Sequence, residues 1–142
     1  MEKQQAAVAR TFSDADIAAA VRAVFPEAKA LILFGSHASG DVWAESDLDL
    51  AILLPGRGDP VRVWEGGQAI AARLQTHIDL VDICSASTVM QYQIITKGRR
   101  LFADGSDLDT YEMYILREML DFNRGRAALL EDIRREGHVY AR

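Results

Sequence analysis

The chain has 142 residues, 49% of them apolar, enough for one ordinary domain with a real core and too few for a second of usual size. Its net charge of −5 and pI of about 5.1 argue against a general nucleic-acid or anionic-membrane binder. A lone cysteine, Cys84, excludes an intramolecular disulfide and fits a reducing cytoplasm, Met1–Gln5 lacks the apolar stretch of a secretory signal, and no apolar run approaches the roughly 20 residues of a membrane span.

In chain order, Ser13 with Asp16 three residues on predicts a helix start of the capping-box kind. Ile17, Ala20, Val21, Val24 and Phe25 supply its apolar stripe, and Pro26 marks its stop. Leu31–Phe34 predicts a short buried strand. Ser36–Ser46 predicts a connection, and Leu48–Leu54 a second strand closed by the Pro- and Gly-rich turn at 55–60. Val61–Thr76 predicts a helix weakened by Gly66-Gly67. Ile78–Cys84 predicts a third strand, Ser85–Thr96 a helix ended by Lys97-Gly98, and Leu101-Phe102 a short edge strand. Leu108–Arg135 predicts a long helix. Its first stripe is Leu108, Tyr111, Ile115, Met119, Phe122, Leu129 and Ile133, the more complete core pattern. A second stripe, Leu116, Leu120, Ala127 and Leu130, lies beside it and faces either the core or another protein.

One stretch carries the chemistry. Gly35-Ser36 closes the first strand, and ten residues later Asp47-Leu48-Asp49 opens the second. Two carboxylates two apart on a strand point to the same face. A tight Gly-Ser turn offers backbone N–H groups and a hydroxyl to a phosphate. If both features serve one site, the first two strands run antiparallel. The helix-sized connection to the third strand predicts a parallel pair with a right-handed crossover, which brings Asp79 to the end where Asp47 lies. The expected fold class is α/β, with a mixed sheet and packed helices.

Two divalent ions about 3.5–4 Å apart can clamp the attacking and leaving oxygens of a phosphoryl displacement, and they need several carboxylates close together. Asp47 and Asp49 are expected to bridge two Mg²⁺, with Asp79 completing the site and helping to take up the proton of the nucleophile. Gly35 and Ser36 are expected to hold the β- and γ-phosphates of a nucleotide. Asp82 is the alternative to Asp79, because the two point to opposite faces of a regular strand. Lys97-Gly98-Arg99-Arg100 either reaches a triphosphate or compensates a helix dipole. His37 is either a phosphate donor or a turn residue, His77 sits at a strand start, and Cys84 reads as a small core residue. A P-loop, a strand-linked dinucleotide fingerprint and a Cys/His metal cluster are all absent from the sequence.

Gly-Ser, ten residues, Asp-x-Asp resembles the signature of the nucleotidyltransferase superfamily that includes DNA polymerase β, and the short chain resembles its minimal nucleotidyltransferases, the MNT family. Gly35, Ser36, Asp47 and Asp49 match that signature position by position. Asp79, within His77-Ile78-Asp79-Leu80-Val81-Asp82, matches the family's third carboxylate. The resemblance covers roughly Leu31–Phe102. It implies a nucleotidyltransferase fold with a three- to four-stranded sheet and a long C-terminal helix, in one domain with a core near 13–103 and a helix near 107–136. It implies Asp47, Asp49 and Asp79 as catalytic and metal-binding carboxylates, Gly35, Ser36, Asp47 and Asp49 as the nucleotide site, two Mg²⁺ as cofactors and ATP as substrate. Many relatives carry Arg just after Gly-Ser, whereas this chain reads His37-Ala38-Ser39-Gly40.

The segment Tyr111–Tyr140 is similar to the tail of antitoxins paired with HEPN toxins, and the arginine–histidine motif of the HEPN ribonucleases themselves is missing. This likeness implies a cytoplasmic antitoxin that transfers AMP from ATP to a tyrosine of a cognate HEPN toxin. The toxin would dock on the C-terminal helix and present the acceptor. Neither a membrane nor direct nucleic-acid binding is expected. Two other readings compete: masking of the toxin without catalysis, and adenylylation of a small molecule of the aminoglycoside kind.

Overall fold

A computed structural model describes residues 13–35 and 47–136. Its elements are α1 (Asp14–Val24), β1 (Ala30–Phe34), β2 (Leu48–Leu53), α2 (Pro60–Leu74), β3 (Ile78–Asp82), α3 (Thr88–Lys97), β4 (Arg99–Ala103) and α4 (Asp107–Glu136). The sheet order is β3-β2-β1-β4. β1 runs antiparallel to β2 and β4, and β2 runs parallel to β3, so the expected mixed topology is the observed one.

Strand alternation sorts the core into two layers. Leu31, Leu33, Leu48, Leu50 and Ile52 face α1 and α2, packing with Ile17, Val21 and Ile70. Ala30, Ile32, Ala51 and Leu53 face the other way and pack with Ile94 of α3 and with Leu108 and Ile115 of α4. The capping box of α1 forms: Ser13 Oγ accepts from Asp16 N at 3.0 Å, and Asp16 Oδ2 accepts from Ser13 N at 3.3 Å.

The first glycine of the pair inside α2, Gly66, has a packing reason. The buried ring of Phe25 occupies the space a Gly66 side chain would fill, and a Cβ on Gly67 would meet Leu80 Cβ at 3.4 Å. Close approach of Phe25 therefore outweighs the roughly 1 kcal/mol that Gly66 costs the helix. Gly66→Ala should destabilise the fold by about 1–3 kcal/mol by overpacking, despite the better helix former. Thermal melting followed by circular dichroism should show a drop of several degrees; an unchanged or higher melting temperature would show that Phe25 swings aside freely.

β3 ends two residues earlier than the expected Cys84. Asp82, buried, accepts from Gly58 N at 2.7 Å, Ser85 Oγ at 3.0 Å and Cys84 N at 3.2 Å. Those bonds turn the chain out of the strand into a single 3-10 turn over Ile83–Ser85. Gln91 Nε2, also buried, donates to Ile83 O at 2.7 Å and to the Tyr111 hydroxyl at 2.9 Å, which ties α3, the turn and α4 together. Burial there pushes the Tyr111 phenol up to about 12 and raises the thiol of free Cys84.

α4 differs from the sequence expectation over half its length. Its first stripe is core only as far as Met119: Leu108 and Ile115 are buried, and Tyr111 and Met119 are half-buried. Beyond that, Phe122 and Leu129 are exposed, at 48% and 57%. The second stripe is open from the start, with Leu116 at 43% and Leu120 at 50%. The sheet is too short to cover both turns and stripes, so the second half of the helix leaves the core. Among the described residues, no helix is long and apolar enough to cross a membrane.

Candidate active site

Three strand ends meet at one edge of the sheet. β1 finishes at Phe34, whose partner in β2 is Asp49, and Gly35 follows with φ +76°. That left-handed backbone favours glycine. Space demands it too, because a Cβ on Gly35 would run into the Asp49 carboxylate. Gly35 and Asp49 are therefore packed against each other, as a turn that offers N–H groups beside a carboxylate requires. Ser36 and His37 lie outside the described residues.

Asp49 is half-buried, and Asp47 and Asp79 are exposed. The parallel register pairs Asp49 with Asp79 directly, so their Cα atoms are neighbours across one strand spacing of roughly 4.8 Å and their side chains share a face. Leu48 N donates to His77 O at 3.0 Å, which locks the first turns of β2 and β3 side by side. Alternation puts Asp47 on that face as well. It is the face that Ala51 and Leu53 share with α3 and α4, not the one covered by α1 and α2. Among the described residues, no three His, Cys, Asp or Glu side chains are gathered tightly enough to enclose a metal ion by themselves. The fit of the site to divalent cations rests instead on backbone register, which sets three hard oxygen donors on one face, the donor type Mg²⁺ takes alongside phosphates and waters.

Asp82 belongs elsewhere. Its partner is Ile52, toward the opposite end of β2, and its carboxylate is consumed by three hydrogen bonds. The basic cluster also divides. Arg99 is paired with Asp14, and Arg100 with Asp109 at 2.9 Å and Glu112 at 3.1 Å. Both lie in β4, and only Lys97 belongs to a helix C-terminus. Lys97 is exposed at the end of α3, just before the start of β4.

The mixed sheet with a Gly turn and three aspartates at one edge is that of a nucleotidyltransferase, and the chain belongs to the polymerase β nucleotidyltransferase family, whose model matches residues 22–107. Among its relatives is the protein adenylyltransferase MntA of Shewanella oneidensis. The two are 32% identical over 108 residues, spanning 76% of this chain and 78% of that protein. The fold is also similar to a chain of a toxin–antitoxin complex crystallised with AMP-PNP (TM-score 0.75, 30% identity, 86% of this chain and 98% of that one). A third likeness is to a chain of the complex between the tri-AMPylated HEPN toxin of Shewanella oneidensis and its MNT antitoxin (TM-score 0.68, 28% identity, 84% and 94% covered).

Proposed function

We propose that this chain is a cytoplasmic antitoxin that transfers AMP from ATP to a tyrosine of a cognate HEPN ribonuclease and thereby neutralises it. The observation that carries this reading is the extent of the likeness. Chains of complexes seen with an ATP analogue or an AMPylated HEPN toxin are matched over almost their whole length. The exposed apolar residues of α4 supply a surface for a protein that brings its own acceptor.

Each residue then has a role. Gly35 and Ser36 hold the β- and γ-phosphates through N–H groups and a hydroxyl. Asp47, Asp49 and Asp79 would hold the Mg²⁺. Bound Mg²⁺ would supply charge neutralisation on the phosphate oxygens and would lower the pKa of the acceptor hydroxyl. In the reaction the tyrosine oxygen bonds to the α-phosphorus, the bond from that phosphorus to the bridging oxygen breaks, and pyrophosphate leaves. Asp79 helps to take up the phenolic proton. The added phosphate charges then repel RNA from the ribonuclease.

The test is to incubate the chain with ATP, Mg²⁺ and its HEPN toxin and to weigh the intact toxin. A gain of one or more AMP masses, absent without ATP, is expected. A stable complex in which the toxin gains no mass would replace catalysis with simple masking.

A further inference from the structure

We propose that Lys97 is the cation that grips the β- and γ-phosphates of ATP and steadies the pyrophosphate as it leaves, an inference that rests on the nucleotidyltransferase reading above. The triphosphate brings several negative charges to the Gly35 turn, yet residues 35–46 contain neither lysine nor arginine. Nearby cations must come from another part of the fold.

β4 provides one. It pairs with β1 through Leu33 and Arg99. Continued one residue, that antiparallel register sets Gly98 level with Phe34, and Lys97 precedes it as the last residue of α3. Gly98 is extended, at φ −83° and ψ 169°, and joins the end of α3 to the start of β4. It lies tight against β1: a Cβ there would stand 2.5 Å from Ile32 Cγ2 and 3.1 Å from Leu33 O. That contact pins the end of α3 on the Ile32 layer, which is also the face of Asp47, Asp49 and Asp79. Lys97 is thus brought to the same edge and the same face as the carboxylates.

Its charge is also available. Arg99 and Arg100 are committed to Asp14, Asp109 and Glu112, whereas the exposed Lys97 ammonium makes no ion pair among the described residues. A flexible four-carbon stem with three donors suits a phosphate group that departs during the reaction. The helix-dipole role alone would need only a charge anywhere in the last turn, with no dependence on nucleotide.

Calorimetric titration of the full chain with a non-hydrolysable ATP analogue, and with AMP, both with Mg²⁺, tests this. Lys97→Gln should bind the analogue about tenfold more weakly, the loss of one charge-assisted hydrogen bond. AMP affinity and melting temperature should stay unchanged, and Lys97→Arg should restore most of the analogue's affinity. Unchanged analogue binding in Lys97→Gln, or equal losses for the analogue and AMP, would overturn the assignment of Lys97 while leaving the parent reading in place. If the wild-type chain binds neither nucleotide, the parent reading falls and the role of Lys97 falls with it.

Discussion

Asp49→Asn should abolish AMP transfer while the fold survives. The substitution keeps the shape beside Gly35 and Phe34 and removes only the charge. If Asp49 holds metal as proposed, its loss should cost several kcal/mol of transition-state stabilisation, roughly a thousandfold or more in rate. Asp47→Asn should behave alike. Without metal, the neighbouring Asp49 and Asp79 carboxylates repel each other across the strand pair, so Asp49→Asn should melt no lower than wild type, and higher if that repulsion is felt. Transfer to the toxin at saturating Mg²⁺, read by mass, and thermal melting of the metal-free protein give the two numbers. Turnover near that of wild type would end the two-metal assignment.

The second large effect belongs to α4. Leu120→Glu combined with Leu129→Glu should leave the cooperative melt almost untouched, because both side chains are half or more exposed and surface changes usually stay within about 0.5 kcal/mol. Binding of the HEPN toxin should fall about a hundredfold or more, as expected when apolar anchors of an interface acquire charge. Melting by circular dichroism and titration against the toxin separate the outcomes. If the double variant unfolds, these positions are core, and if it binds normally, the toxin sits elsewhere.

Much of the site was legible in the residues because chemistry dictated topology. Requiring Gly35 and Asp49 to meet forces β1 and β2 antiparallel. Requiring Asp79 to join them after a helical crossover forces β2 and β3 parallel, and the register agrees at Phe34–Asp49 and Asp49–Asp79. The choice between Asp79 and Asp82 needed three dimensions, since only hydrogen bonds from Gly58, Cys84 and Ser85 reveal Asp82 as the stop of β3. Gly66-Gly67 reads as a weak helix until Phe25 is placed against it. The stripes of α4 are equally apolar along their length, so periodicity alone does not tell where the sheet beneath them runs out. Lys97, Arg99 and Arg100 look alike in sequence and part company only through their acidic neighbours.

The bare half of α4 has an energetic consequence. From Leu120 to Arg135 only Ile133 is even half-covered, so almost no desolvation of apolar surface supports the helical form there. What remains is propensity and three exposed pairs one turn apart, Asp121 with Arg124, Glu131 with Arg134 and Asp132 with Arg135, each worth at most a few tenths of a kcal/mol. An unsupported helix of that length is only marginally stable in water. A protein that seats on it contributes the missing cover, so ordering of the segment and association become one equilibrium. Part of the contact energy is then absorbed in freezing the backbone, and the complex holds less tightly than its area suggests.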